Sequence, residues 1–165
     1  MGKLTPHSVL VVCLGNICRS PMAHGLFEHH ARQQGIAVAI DSAGCAGFHI
    51  GKPPDRRAIE TARRNAIDIA HLRARQVEVS DFDRFDEIYA MDEQNLAELR
   101  SLRPRESTAR LDLVMSLLSQ DLAAIRSVPD PYYGDQAGFD QVFTMLDQAA
   151  SRWAKQIAMG AQFDG

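Results

Sequence analysis

Long apolar runs are missing from this chain. The longest purely apolar stretch, Val9 to Leu14, falls far short of the about 18 residues that a membrane-spanning helix needs. It is also too short for a secretory signal, and Gly15-Asn16 breaks it without a small-residue cleavage pattern. Pro6 stands where N-myristoylation wants Ser or Thr. No membrane association is therefore expected. Cysteine is scarce: Cys13, Cys18 and Cys45 are three in number, too few to close a disulfide framework. A reducing cytoplasm is the default location, and at least one free thiol needs a reason. An excess of basic charge is absent too, with 18 Lys and Arg against 21 Asp and Glu and a net charge of −3, which argues against a general nucleic-acid binder. There is no internal repeat, low-complexity tract or Ser/Gly linker. What is present is an ordinary globular composition, 45% hydrophobic and 24% charged over 165 residues, enough for one domain that needs no staple. That single domain is expected over 1–165, with short tails at 1–7 and 159–165.

The hydrophobic pattern alternates strand and helix. Val9-Leu10-Val11-Val12 is a β-branched run suited to a strand buried on both faces. Ser20-Pro21 predicts an N-cap and first helical position, and the helix that follows can end at Gly35. Ile36 to Ile40 predicts a second strand. Asp55 caps a helix with Ala58, Ile59, Ala62 and Ala66 inward, its arginines Arg56, Arg57, Arg63 and Arg64 forming a solvated face. Glu87 to Met91 and Leu111 to Val114 are the remaining strands, with an Asp92-capped helix between them that Pro104 stops. Met115 to Ile125 fits either a helix or an irregular connection. Apolar spacing from Phe139 to Ile157 predicts a long final helix. This alternation implies an α/β fold with a parallel sheet covered on both faces, in which ligands bind beyond the carboxyl ends of the strands.

At one such end stands Cys13-Leu14-Gly15-Asn16-Ile17-Cys18-Arg19-Ser20, a C-x5-R-S loop between a strand and a helix. A loop of this length can turn successive backbone N–H groups into one concavity, which favours an oxyanion. The helix that follows adds its positive dipole end, and Arg19 can offer a planar fork to two phosphate oxygens. Gly15 allows close backbone approach, and Asn16 tolerates left-handed angles. The donors that bind phosphate also favour the thiolate of Cys13, the nucleophilic form. Attack on phosphorus would give a phosphocysteine intermediate. A departing oxygen needs a proton, and Asp130, stiffened between Pro129 and Pro131, can supply it and later activate water. Tyr132 and Tyr133 can wall a slot for a flat ring.

These residues resemble the low-molecular-weight protein tyrosine phosphatases. The resemblance runs over nearly the whole chain: Cys13 through Pro21, Asp130-Pro131-Tyr132-Tyr133-Gly134, and between them Asp41-Ser42-Ala43-Gly44, His49-Ile50-Gly51, His71, Arg75-Gln76 and Met91-Asp92. It implies a four-stranded parallel sheet with helices on both faces and the phosphate-binding loop, Leu14 to Arg19, after the first strand. It implies hydrolysis of phosphotyrosine and aryl phosphates with no metal or other cofactor, by a monomer whose partners are tyrosine-phosphorylated proteins and a candidate tyrosine kinase. It further implies that Ser20 hydrogen-bonds the Cys13 sulfur, that Asn16, Ser42 and His71 form a network holding the loop, and that Cys18 closes a reversible disulfide with Cys13.

The chain also departs from that pattern. His24 stands where an acidic residue is usual, and Phe48 replaces a Trp on the substrate wall. Cys45 takes the place of a small or hydroxyl residue and is expected to pack, Ala66 that of a helix-ending Gly, and the 115–127 segment is dissimilar. An arsenate reductase on this scaffold would need two further cysteines near residues 80–90, which the chain lacks. A protein-arginine phosphatase would favour Thr where Ile17 stands, so phosphotyrosine is preferred. A non-catalytic phosphate- or phosphoprotein-binding module would have lost Cys13, Arg19 or Asp130, and all three are present.

Overall fold

The computed structural model describes the backbone of residues 7–122 and 126–164, with the side chains of 119–122 and 161–164 left out. Its centre is the apolar run near the start. Strand β1 (His7–Cys13) is buried along all but its first residue. It lies between β2 (Val38–Gly44) and β3 (Glu87–Ala90), with β4 (Arg110–Leu113) outside β3. All three pairings are parallel. Side chains of a strand alternate between faces, and β1 shows the consequence. Val9, Val11 and Cys13 enter one core, and Leu10 and Val12 enter the other.

Helices α1 (Arg19–Gln33), α2 (Arg56–Arg64) and α5 (Gln136–Asp164) cover the first face, together with a 3-10 helix at Val114–Leu122. There Trp153 stacks 4.8 Å from the Phe27 ring. The second face holds α4 (Glu93–Leu102) and Phe82 of the short α3 (Asp81–Arg84). Among the described residues no helix is long and apolar enough to cross a membrane.

Several boundaries differ from the sequence reading, each for a tertiary reason. β2 begins two residues late and continues through Asp41-Ser42-Ala43-Gly44, because it pairs in register with β1 as far as Cys13 opposite Gly44. α1 starts at Arg19, and its N-cap residue Cys18 makes no side-chain cap. Ser20 does not cap the helix, since its hydroxyl is engaged inside the site. Gly35 does end α1, at φ 68°, with the Ile36 N–H reaching back to the Ala31 carbonyl at 2.9 Å. Ala66 is exposed rather than on the inward stripe. It adopts φ 63°, while the Ile67 N–H closes the same kind of reverse bond to Ala62 at 2.9 Å. The undecided segment after β4 is the 3-10 helix, as far as Leu122. His7 belongs to β1, and α5 continues to Asp164 through residues expected as a tail.

Candidate active site

Cys13 is the last residue of β1, and α1 begins at Arg19, so the loop between them lies at the carboxyl edge of the sheet. Its shape is fixed by backbone bonds from outside. The Cys13 and Leu14 carbonyls accept from the Cys45 and Ala46 N–H groups, each at 2.9 Å, and the Ile17 carbonyl accepts from Asp55 N–H at 2.8 Å. A trans peptide carries its N–H opposite its carbonyl. The N–H groups of Leu14, Gly15 and Cys18 therefore face away from these outer partners. Asn16 makes the turn at φ 60°, a left-handed angle that Asn adopts more readily than most residues.

Beneath the loop, β2 ends on Gly44. A β-carbon there would sit 2.8 Å from the Leu14 carbonyl oxygen and 3.0 Å from the Gly15 carbonyl carbon, so only glycine lets the loop lie this close. A β-carbon on Gly15 would come 3.0 Å from His49 Cδ2.

The Cys13 sulfur is 3% exposed. It accepts from the Asn16 N–H at 3.3 Å and lies 3.1 Å from Ser20 Oγ. Ser20 Oγ accepts in turn from Asn16 Nδ2 at 2.7 Å, and Asn16 Oδ1 accepts from the Arg75 N–H at 3.0 Å. The single Ser20 hydroxyl proton can point to the sulfur at 3.1 Å or to the Ala43 carbonyl at 3.4 Å. Arg19 is equally buried. Its Nη1 donates to Asp92 Oδ2 at 2.7 Å and to the Val128 carbonyl at 3.0 Å, and its Nη2 lies 3.7 Å from Asp130 Oδ2. Burial works against the Arg19 charge, but Cys13, Asp92 and Asp130 outweigh it and raise its pKa above the ordinary value.

Asp130 stands half-exposed across the mouth. Its Oδ1 accepts from the Tyr132 N–H at 3.1 Å, and the segment is pinned by the Val128 N–H bonding the Met91 carbonyl at 2.8 Å. Cys13, Leu14, Gly15, Ile17, Cys18, Arg19, Phe48, His49, Asp130, Tyr132 and Tyr133 line one cavity of about 280 Å³. Both tyrosines contribute, their rings 4.9 Å apart and edge-to-face at 83°, and Phe48 stands exposed on the wall. Cys18 shares the cavity. Burial first, then Asp55 and the Cys13 sulfur, push its thiol well above the ordinary range, which keeps it protonated. Cys45 lies outside this cavity and lines another with Glu98. Burial and then Glu98 push its thiol up to about 12.

The supporting set departs from the reading of the sequence. Ser42 bonds His24, its Oγ 3.0 Å from Nδ1, and His24 Nε2 lies 3.0 Å from Glu28 Oε1. His24 is thus a buried bridge between Ser42 and Glu28. Its hydrogen bond holds the Glu28 carboxyl below the ordinary range. His71 is exposed, with Asp68 at 3.9 Å. The expected Asn16–Ser42–His71 network is replaced by Asn16–Ser20–Arg75 on one side and Ser42–His24–Glu28 on the other. The Arg75 backbone can serve because its side chain is held by Asp41 and the buried Asp81.

Asp92 and His49 stood among the segments that carry the resemblance, and the sequence reading gave neither a role in the site. Asp92 was legible as a helix cap, and its Oδ1 does accept from the Asn95 N–H at 2.7 Å; its second oxygen holding Arg19 needed the fold. Among the described residues, no group of three or more His, Cys, Asp or Glu side chains is arranged to hold a metal.

The family model for low molecular weight phosphotyrosine protein phosphatase matches residues 8–162. The phosphatase of that name from Schizosaccharomyces pombe is 40% identical over 153 residues, spanning 91% of this chain and 96% of the relative. Among solved structures, YfkJ from Bacillus subtilis superposes with a TM-score of 0.86 at 37% identity, covering 94% of this chain and 97% of the other. A Drosophila arginine phosphatase gives 0.84 at 27% identity, covering 90% and 96%. With a match that runs through the C-x5-R-S loop and the Asp130 segment alike, this chain belongs to the low molecular weight phosphotyrosine protein phosphatase family.

Proposed function

We propose that this chain is a protein tyrosine phosphatase that hydrolyses phosphotyrosine and aryl phosphates through a phosphocysteine intermediate, without a metal. The observation that carries the reading is the Cys13 sulfur, beside the Asn16 N–H and the Ser20 hydroxyl in a cavity that the buried Arg19 and the more exposed Asp130 also line. The phosphate dianion takes the inward N–H groups of the 14–18 loop and the N-terminus of α1. With Nη1 committed to Asp92 and Val128, the Nε–Nη2 edge of Arg19 is the fork left for two phosphate oxygens.

The Cys13 thiolate attacks phosphorus in line, forming the S–P bond as the ester P–O bond breaks. Asp130 passes its proton to the departing phenolate oxygen. Water then attacks the same phosphorus and gives a proton to the Asp130 carboxylate. The S–P bond breaks, and inorganic phosphate and the thiolate are released. Charge developing on the equatorial oxygens is met by dipoles already in place. Phe48, Tyr132 and Tyr133 wall the leaving phenol, and the apolar Leu14 and Ile17 complete an aromatic-shaped slot.

Under peroxide, oxidised Cys13 is captured by the neighbouring Cys18 thiol, which displaces water and closes a disulfide. The same reading makes the chain one catalytic domain, acting as a cytoplasmic monomer on tyrosine-phosphorylated proteins, with a tyrosine kinase among its candidate partners.

The test is turnover of a phosphotyrosine peptide in the presence of a chelator, beside Cys13→Ser and Asp130→Ala. Abolished turnover in the first variant and slowed turnover in the second support the mechanism. Retained turnover in Cys13→Ser removes it. A phosphoarginine peptide belongs in the same assay, because one structural relative is an arginine phosphatase; preference for it would reassign the substrate. Phosphate binding with no hydrolysis would leave a binding module.

A further inference from the structure

We propose that Arg57 is a positioning residue for this reaction, a strut that fixes the loop carrying Asp130 relative to the phosphate loop. The inference rests on the phosphatase reading and adds to it a residue outside the cavity lining.

The strut begins at Asp55. Its backbone N–H donates to the Ile17 carbonyl of the phosphate loop at 2.8 Å, and its carboxylate caps α2 by accepting from the Arg57 N–H at 2.8 Å. That carboxylate also receives one edge of the Arg57 guanidinium, Nε to Oδ1 at 3.1 Å and Nη2 to Oδ2 at 3.0 Å. The other edge crosses to the acid loop, where Nη1 donates to the Gly134 carbonyl at 3.0 Å and Nη2 to the Tyr132 carbonyl at 2.9 Å. The flat group lies over the Phe139 ring, 4.5 Å from its centroid, with the Tyr132 ring at 5.8 Å. Only a planar fork can face a carboxylate on one edge and two carbonyls on the next.

The two carbonyls flank Tyr133, and the residue whose carbonyl is held, Tyr132, is the one whose N–H binds Asp130 Oδ1. Moving that residue moves the acid. Two other arginines of α2 pair away from the site, Arg63 with Glu60 and Arg64 with Asp140. A 1 Å misplacement of a reacting group can cost orders of magnitude in rate, so a strut between the nucleophile's loop and the acid's loop acts on proton delivery.

The experiment compares kcat/KM on two substrates that differ in their need for an acid. Phenyl phosphate expels a poor leaving group; 2,4-dinitrophenyl phosphate expels a good one. General acid catalysis supplies roughly 10²–10⁴, of which a misplaced acid forfeits part. Arg57→Ala is expected to lower kcat/KM about tenfold on phenyl phosphate and less than about twofold on the dinitrophenyl ester. In an Asp130→Ala background it should add less than about twofold on either, because there is no acid left to misplace. Arg63→Ala should match the wild type on both.

Arg57→Lys keeps charge and stem without the fork, and should show the same substrate-selective loss at about threefold; it carries the comparison if Arg57→Ala folds poorly. Equal losses on both substrates, or a loss that persists in the Asp130→Ala background, would reduce Arg57 to a scaffold residue and overturn the proposal. If the wild type and Asp130→Ala behave as the mechanism requires and both Arg57 variants act like the wild type, the strut alone is wrong. If the wild type turns over neither ester, the phosphatase reading falls and takes the strut with it.

Discussion

Asp92 uses its two carboxylate oxygens for two separate jobs, which makes them experimentally separable. Oδ1 caps α4 and Oδ2 holds the buried Arg19 guanidinium. Asparagine is about as good an N-cap as aspartate, so Asp92→Asn keeps the cap and removes the charge from Arg19. A hydrogen bond to a charged group contributes about 1.5–3 kcal/mol. Arg19 keeps the Val128 carbonyl and the more distant Asp130, so a net cost of about 1–2 kcal/mol is expected, near the low end of that range. For a domain of this length that is a fall in Tm of roughly 2–8 °C. Asp92→Ala loses the cap as well, adding about 1 kcal/mol.

In catalysis a guanidinium held at Nη1 by the Val128 carbonyl alone presents its fork less firmly, and about 1–2 kcal/mol lost from the transition state lowers kcat/KM by roughly five- to thirtyfold. Removing a negative charge beside the phosphate acts in the opposite sense on ground-state binding. The loss should therefore fall on kcat, while inhibition by inorganic phosphate holds or tightens. Thermal melts with steady-state kinetics on p-nitrophenyl phosphate measure both parts. If Asp92→Asn leaves kcat within twofold and matches Asp92→Ala in Tm, the division of labour argued here is wrong.

Three further outcomes follow from the same geometry. Gly44→Ala should cost about 1–3 kcal/mol by overpacking and lower kcat/KM about tenfold or more, since its nearest contacts are phosphate-loop backbone; unchanged kinetics would show that the loop yields freely. Ala66→Gly should raise Tm by up to roughly 6 °C: relief of the left-handed cost, about 1–2 kcal/mol, is offset only in part by the added freedom of the unfolded chain, about 0.4–1 kcal/mol, and a lower Tm would contradict this.

Glu87 titration should be visible in acid. Burial opposes its charge, but hydrogen bonds from His7, Tyr89 and Trp153 prevail and hold its carboxyl below the ordinary range. Its contribution is thus complete above the unfolded value of about 4.3 and lost as pH falls from there through the folded pKa. Urea midpoints of Glu87→Gln should fall less steeply than the wild type across that window, and parallel curves would refute the assignment.

Much of this protein was legible in the chain because the signals are local. The uninterrupted β-branched Val9–Val12 run suits a strand buried on both faces, and it became one of the two inner strands. The C-x5-R-S spacing keeps a thiol, several backbone N–H groups and a guanidinium close together along the chain, so a phosphate-loop reading needed only local signals. The caps at Asp55 and Asp92 and the stop at Gly35 were equally local, each depending on a few backbone angles.

What the sequence could not settle are the contacts between residues far apart along it. The polar Asp41-Ser42 reads as the end of a strand, yet pairing with β1 carries β2 past it. Ser20 had a local reason to cap a helix and, from the resemblance, a reason to bond the Cys13 sulfur; the fold gives its hydroxyl to the sulfur. His24 turned inward to bridge Ser42 and Glu28, and His71 stayed outside. Asp92 and Arg57 looked like a cap and a solvated charge until folding brought Arg19 and the Tyr132 carbonyl to them. A side chain with several donors or acceptors has several satisfactory local partners, and only the three-dimensional packing of distant segments decides which of them it meets.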